Sequence, residues 1–316
     1  MADPFKDKEA LILEADKKFF DTIAKADQQL ANEITKILAA YTIDGVLVFN
    51  AIQLAQLEQV IISAIAKTDY SKAVNAYLPN FEAIQALNVE IHKLVNGINV
   101  SDVIKESDRI ANFVSQVTSQ IKATPSTIIQ VTNIVDGKAV KVFETVRNTS
   151  LNQLIDPIAE IIRKDVITGI SFADATDAIT EAISKKKLGL EQWSEQIAMD
   201  ALSQADGVTQ DTIREQFDMK YIRWVGGLKT TSRPCCYDFV KKGPVWEIGK
   251  LEKELALFIV DGVPLETTTT FTANGKQQKR GSGMIPGTSI SNLLIYRGGY
   301  RCEHQAIPAK RPPLKE

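Results

Sequence analysis

Apolar residues recur three or four positions apart through most of the first 215 residues, and this spacing constrains the fold more than any other feature of the chain. Ile12, Ala15, Phe19, Ile23, Ala26, Leu30, Ile34, Ile37 and Tyr41 form one stripe. Such a stripe lies along one face of an α-helix, so the spacing predicts a helix over 7–41. The turn residues Thr42 to Gly45 (TIDG) end it, and a second helix is expected over 46–67. A third begins near Ser71, is interrupted by Pro79, and resumes through His92 to a glycine cap at Gly97. Ser101 and Asp102 open a fourth, which runs to Lys122 and stops at Thr124-Pro125.

Beyond it the pattern predicts two short helices, 127–134 and 139–146, joined at Asp136-Gly137, or one kinked element in their place. Further helices are expected over 151–167 with a Gly169 stop, 172–187 capped by Ser171, 190–205 after Gly189, and 208–218. His92 is the only histidine among these helices, and a lone histidine in a helical pattern is assigned no role. The helices carry no glycine-rich phosphate loop and no His-Glu-x-x-His pair.

Composition changes near residue 215. Of 17 glycines, 11 lie beyond it, as do 7 of 11 prolines. Residues 216–316 carry 16 Lys and Arg against 9 Asp and Glu, a net of +7, which leaves 21 against 30, a net of −9, for residues 1–215. A basic segment attached to an acidic one could face nucleic acid or an acidic protein surface, or simply be solvated. The longest apolar runs, Gly45–Phe49 and Ala256–Val260, are far shorter than the ~20 residues a membrane span requires. The polar N-terminus has no signal-peptide pattern. All three cysteines follow residue 234, too few for a disulfide framework, so a reducing compartment is expected.

In the C-terminal part, Tyr221 to Val225 (YIRWV) alternate as a strand does, and Gly226-Gly227 end it. A turn carrying Arg-Pro-Cys-Cys follows, then an amphipathic helix over 250–260 and a threonine-rich hairpin turning at Asn274-Gly275. Lys276, Lys279 and Arg280 are the densest basic group and the candidate nucleic-acid contact, with a solvated loop as the plainer reading. Gly281-x-Gly283 precedes Met-Ile-Pro rather than a helix, which removes a dinucleotide-binding reading. The basic tail AKRPPLKE is expected to be disordered or a docking peptide.

Four segments occur in a fixed order: TGISFADA at 168–175, YIRWVGGL at 221–228, SRPCC at 232–236 and GGYRCEHQAIPA at 298–309. In this order and spacing, the chain over about 150–310 resembles the minor head proteins of tailed phages, the head morphogenesis family with the phage Mu F-like domain. That family has a helix after a Gly-Ile/Leu-Ser turn, a Tyr/Val-x-Arg-Trp strand, a Thr-Cys-x-x-Cys turn, and a closing His-Pro-x-Cys-Arg-Cys that leads into a short strand. Here Arg233 stands at the first family cysteine and Cys236 at the second, while Tyr300 replaces one closing cysteine and Cys302 retains the other. Arg223, Trp224, Cys236, Tyr300, Arg301 and Cys302 are therefore expected to form a structural knot.

The expected fold class is mainly α with a small α+β C-terminal domain: a helical arm or bundle over 1–150, then a minor-head-like domain over 151–316. Within the latter, helices over 151–218 precede the knot at 219–310 and the tail. The resemblance implies a non-enzymatic structural virion protein associated with the portal vertex or inner capsid. Its role would be head assembly, DNA packaging or DNA delivery, through binding to portal or capsid proteins and to packaged DNA. It implies a symmetric multi-copy assembly, made in the bacterial cytoplasm and located in the virion, with no membrane partner and no cofactor. Two alternatives stand beside it. Cys235, Cys236, Cys302 and His304 could supply zinc ligands in a nucleic-acid-binding module, although adjacent cysteines suit one ion poorly; a packed thiol cluster or a Cys236–Cys302 bridge competes with that reading. A Cys-His enzyme is the other, with Asp238 or Asn292 as the residue that would orient His304.

Overall fold

The computed structural model describes residues 3–135, 138–184, 188–198, 200–228, 232–243, 245–265, 270–273, 276–279, 282–297 and 304–311. The chain is mainly α, as its stripes require, with several small antiparallel sheets. No described helix is long and apolar enough to cross a membrane.

The first stripe forms two helices, α1 (Pro4–Ile23) and α2 (Ala26–Ala39), rather than one. No Gly or Pro marks the break, and the stripe stays buried across it: Ile23 and Ala26 are both fully enclosed. The TIDG turn closes a hairpin, β1 (Thr42–Ile43) with β2 (Val46–Leu47). Asp44 and Gly45 both have positive φ, as a two-residue hairpin turn demands. The expected 46–67 helix is thus replaced at its start by β2. Helix α3 (Ala51–Ala55) follows, opened by a capping box between Asn50 and Gln53, and then α4 (Leu57–Ala66). Helices α5 (Tyr70–Tyr77) and α6 (Asn80–Asn96) lie on either side of Pro79, and Gly97, at φ 63°, ends α6. The fourth predicted helix is divided at Ser107, whose ψ of 108° is extended, into α7 (Ser101–Glu106) and α8 (Asp108–Ile121).

The two helices expected over 127–146 are instead β3 (Ser126–Val135) and β4 (Lys138–Arg147), paired residue for residue from Ser126 opposite Arg147 to Val135 opposite Lys138. Thr127, Ile128, Ile129, Val131, Thr132, Ile134 and Val135 give β3 a β-branched side chain at most positions, which crowds a helix and suits a pleated strand. A short 3₁₀ turn leads to α9 (Asn152–Thr168), closed by Gly169 in the left-handed conformation. Ser171 caps α10 (Phe172–Ser184) by accepting from the Asp174 amide at 3.1 Å. Helices α11 (Leu190–Ala198) and α12 (Ala201–Gln216) follow, so the chain breaks near Asp200 and continues as helix through Gly207.

Strand β5 (Tyr221–Val225) matches its prediction. The Arg-Pro-Cys-Cys segment forms helix α13 (Pro234–Lys242) instead of a turn, with Pro234 at its first position and Arg233 extended before it. Then come β6 (Val245–Glu247), α14 (Ile248–Leu255), and the hairpin of β7 (Ile259–Val260) and β8 (Val263–Pro264), which replaces the end of the helix expected over 250–260. Strands β9 (Thr270–Ala273) and β10 (Lys276–Lys279) pair with Ala273 opposite Lys276, as the hairpin reading expects. Helix α15 (Leu293–Tyr296) and β11 (Gln305–Ala309) complete the described elements.

Contacts divide the chain into two compact units that interleave along the sequence instead of meeting once near residue 150. One comprises 13–80 and 114–199; the other comprises 1–12, 81–113 and 200–316. The first is a helical unit whose core joins Phe19, Tyr70 and Tyr77 through tilted and edge-on ring contacts. Its buried hydroxyls are satisfied: Tyr70 donates to the Ile121 carbonyl at 2.6 Å and Tyr77 to that of Ala198 at 2.8 Å. The second holds the sheet β11-β5-β6 and the residues of the resemblance beyond 200.

Candidate functional site

The strand Tyr221–Val225 is the centre of the small sheet, with β6 on one side and β11 on the other, both antiparallel. Arg223 stands opposite Ile307 and Trp224 opposite Ala306. Trp224, at 2% exposure, meets Phe239 of α13 edge-on with ring centroids 4.8 Å apart, and Phe239 in turn meets Trp246 and Phe258. The Trp246 indole, half-buried against this cluster, donates to the Phe239 carbonyl at 2.9 Å, so its ring packs without losing its hydrogen bond.

Cys235 and Cys236 belong to this apolar cluster, both buried, with their sulfurs 4.0 Å apart. Helix α13 places them at successive positions about 100° apart around its axis. Arg223 is half-buried. His304 is buried and lies against Gly226: a Cβ there would fall 2.8 Å from its ring. At φ 142°, Gly226 also has a backbone conformation that side-chain-bearing residues seldom adopt.

Of the remaining residues assigned to the knot, Tyr300, Arg301 and Cys302 lie outside the described residues, and with them the possible Cys236–Cys302 bridge. Arg280 and the tail from 312 lie outside as well, while Lys276 and Lys279 are described only as backbone in β10. Among the described residues no group of three or more His, Cys, Asp or Glu side chains is placed to hold a metal ion. The burial of the two thiols gives an expected outcome. In the folded protein Cys235 and Cys236 should resist alkylation by a maleimide, and both should label in urea, read by peptide mass spectrometry.

A second group, in the same unit, was not singled out by sequence. Lys8 of α1 is fully buried, and its ammonium donates to Asp206 of α12 at 3.0 and 3.1 Å and to Asn88 of α6 at 2.9 Å. Asn88 donates to the same carboxylate at 2.8 Å, and Arg297, just beyond α15, pairs with its other oxygen. Gln210 donates to Asn88 at 2.8 Å and meets the His92 ring at 2.8 Å. The chain of bonds continues from His92 to Asn96, which donates to the Pro308 carbonyl at 2.9 Å and accepts from the Lys310 amide at 3.1 Å. The guanidinium of Arg297 also reaches the His304 carbonyl at 3.3 Å. The network therefore joins the first turns of the chain, α6, α12 and the returning strand β11.

Its electrostatics follow from burial and pairing. Burial alone would raise the Asp206 carboxyl, but the cations Lys8 and Arg297 overcome that and hold it below its ordinary value of 3.8. Burial lowers Lys8 from 10.5 to about 8, with Arg297 adding to the effect and Asp206 opposing it. Burial likewise lowers His92 against the opposing bond to Gln210, favouring the neutral ring. Arg297 sits at φ 50°, an uncommon conformation for a residue with a side chain, held by this convergence of bonds. A small recess beside it is lined by Asp200, Ser203, Gln204, Ile285 and Tyr296. A buried set of ions joined in this way can brace four segments.

The signal for these residues was present in the stripes. Lys8 precedes Ile12, Ala15 and Phe19 at helical spacing, and Asn88 with His92 continues Phe81 and Ile84. A polar residue on an apolar stripe must find a buried partner, because leaving it unpaired costs several kcal/mol (~2–7). Which partner it finds depends on long-range folding that periodicity does not encode. No family model matches the chain, and neither a curated protein nor a solved structure matches it.

Proposed function

We propose that the chain is a structural virion protein of a tailed phage, a minor head or portal-vertex protein that acts in capsid assembly, DNA packaging or DNA delivery by binding other proteins. The observation that carries this reading is the pairing of β5 with β11. The Tyr-x-Arg-Trp strand and the closing segment, about 80 residues apart, are the two ends of the C-terminal resemblance, and they are adjacent strands with Trp224 opposite Ala306. This adjacency supports reading the two segments as parts of one small domain. The buried thiols and the enclosed ion network support a bracing role for these residues, in keeping with a protein that presents surfaces to partners. The helical character of the rest of the chain is also what assembly through helix faces would use.

The direct test is the composition of particles. Banded virions from the phage that encodes this chain should contain it intact at fixed stoichiometry, and a nonsense allele should yield particles that fail in assembly or infection. Absence of the chain from purified, infectious virions would reject the reading. Deletion of residues 1–120 is a poor test, because it would remove Lys8, Asn88 and His92 from the network that holds Asp206.

A further inference from the structure

The hairpin of β3 and β4 is a sheet of only two strands, each ten residues long, and among the described residues no third strand joins it. Two strands alone bury too little to be stable in isolation; a third strand or a packed helix is the usual remedy. Here the side chains stay largely in solvent: Ile128 is 65% exposed, Ile134 80% and Phe143 75%. These three lie on one face, since Ile128 stands opposite Thr145, Phe143 opposite Gln130 and Ile134 opposite Ala139.

The two outer edges differ. Strand β4 carries Lys138, Lys141, Glu144 and Arg147, the charges that ordinarily discourage strand addition. Strand β3, STIIQVTNIV, has no ionisable side chain and no proline, and it pairs with β4 without a bulge. The main-chain groups on its outer edge can also be identified. The Asn148 amide donates to the Pro125 carbonyl at 2.8 Å, continuing the ladder by one pair. Hydrogen-bonded pairs alternate in an antiparallel ladder, so the odd-numbered residues of β3 bond to β4 and the even-numbered ones point their main-chain groups outward.

We infer that β3 is a homodimerisation edge, pairing antiparallel with β3 of a second copy about a two-fold axis through Val131. This register opposes even-numbered residues to even-numbered residues, as the outward groups require: Ile128 faces Ile134 of the partner chain, and Gln130 faces Thr132. It makes the two most exposed apolar side chains of the strand cross-strand neighbours twice over, with no charge brought against another. A slip by one residue would oppose even to odd positions and put Ile128 against Asn133. The occupant is a second copy because the edge is self-complementary in both its main-chain pattern and its side chains. The resulting four-stranded sheet has about eight inter-chain main-chain bonds. The pairing would hold whether or not the protein belongs to a virion.

The test uses the full-length chain in sedimentation velocity across the micromolar range. The wild type should pass from monomer to dimer. Ile128→Lys with Ile134→Lys opposes lysine to lysine at both symmetric pairs and should raise the dissociation constant by at least about thirtyfold. Ile128→Lys with Ile134→Glu opposes lysine to glutamate at both pairs and should restore association to near the wild-type level. All four substituted positions in the dimer are solvent-facing in the monomer, and an unchanged circular dichroism spectrum confirms folding. A wild type that stays monomeric overturns the proposal, as would happen if the strand instead received a segment of another protein. So does a dimer that tolerates the double lysine, or one that both double variants disrupt equally.

Discussion

Asp206→Asn should cost about 3–5 kcal/mol of stability at neutral pH, because it leaves Lys8 and Arg297 buried beside each other with no counter-charge. The hydrogen bonds alone would not account for a loss of that size, since asparagine can keep some of them and a typical one is worth about 1 kcal/mol. Lys8→Met should cost much less: the carboxylate then retains Arg297 and Asn88, and the methylene stem of Lys8 is replaced by apolar atoms of similar bulk. The pH dependence separates these effects further. Asp206 has a folded-state pKa below its unfolded one, so its contribution is present above about 3.8 and is lost as pH falls below that value. Lys8 is also lowered, from 10.5 to about 8, so the unfolded chain holds more protons between these values and this group favours folding increasingly as pH rises through that window. The Asp206→Asn penalty should therefore shrink at pH 9, where Lys8 is largely neutral, and the variant should lack the part of the acid limb below pH 4 that Asp206 contributes. Urea unfolding at pH 3, 7 and 9 reads all three differences. A penalty that is small and independent of pH would mean that the network is not ionised as described.

The four Asp-Gly dipeptides of this chain show what periodicity and turn chemistry reveal and what they do not. At 44–45 and 261–262 both residues have positive φ and close hairpins, and at 136–137 the register of β3 and β4 leaves the same two-residue connection. Asp136-Gly137 itself lies outside the described residues; helical spacing places a turn between helices there, whereas the β-branched run before it favours the strand that forms. The fourth, Asp206-Gly207, looks like a break between two helices and instead lies inside α12. There tertiary structure overrides local preference: the aspartate is held by two cations from distant parts of the chain, and the glycine is needed for a close approach. Helix stripes, glycine stops and the β5 strand were legible because each rests on residues near in sequence. The division into interleaved units was not, because it depends on Lys8 meeting a residue almost 200 positions away. Nor was α13, since a proline before two cysteines fits a metal-binding turn as well as the first turn of a helix.

The close approach at Gly207 sets two opposing effects against each other. Glycine inside a helix costs about 1 kcal/mol relative to alanine, so Gly207→Ala gains that much from the backbone alone. Against it, a Cβ at 207 would lie 2.4 Å from the Leu294 carbonyl oxygen and 2.5 Å from the Ile295 Cα, both main-chain atoms that cannot swing aside. Relief requires α15 to move away from α12 by roughly 1 Å, and overpacking of a tight contact costs about 1–3 kcal/mol or more. The movement would also draw Arg297, three residues beyond Leu294, away from Asp206 and so weaken the ion pair on the adjacent residue of α12. The steric and electrostatic losses exceed the helical gain, and Gly207→Ala should lower the melting temperature by several degrees. Gly249→Ala is the matched control. It lies in the first turn of α14, with no atom within 4 Å of its added Cβ, so only the backbone effect applies and its stability should rise by up to about 1 kcal/mol. Opposite signs for the same substitution in two helices would locate the cost in the contact with α15; a stabilised Gly207→Ala protein would show that α12 and α15 do not approach in solution as they do here.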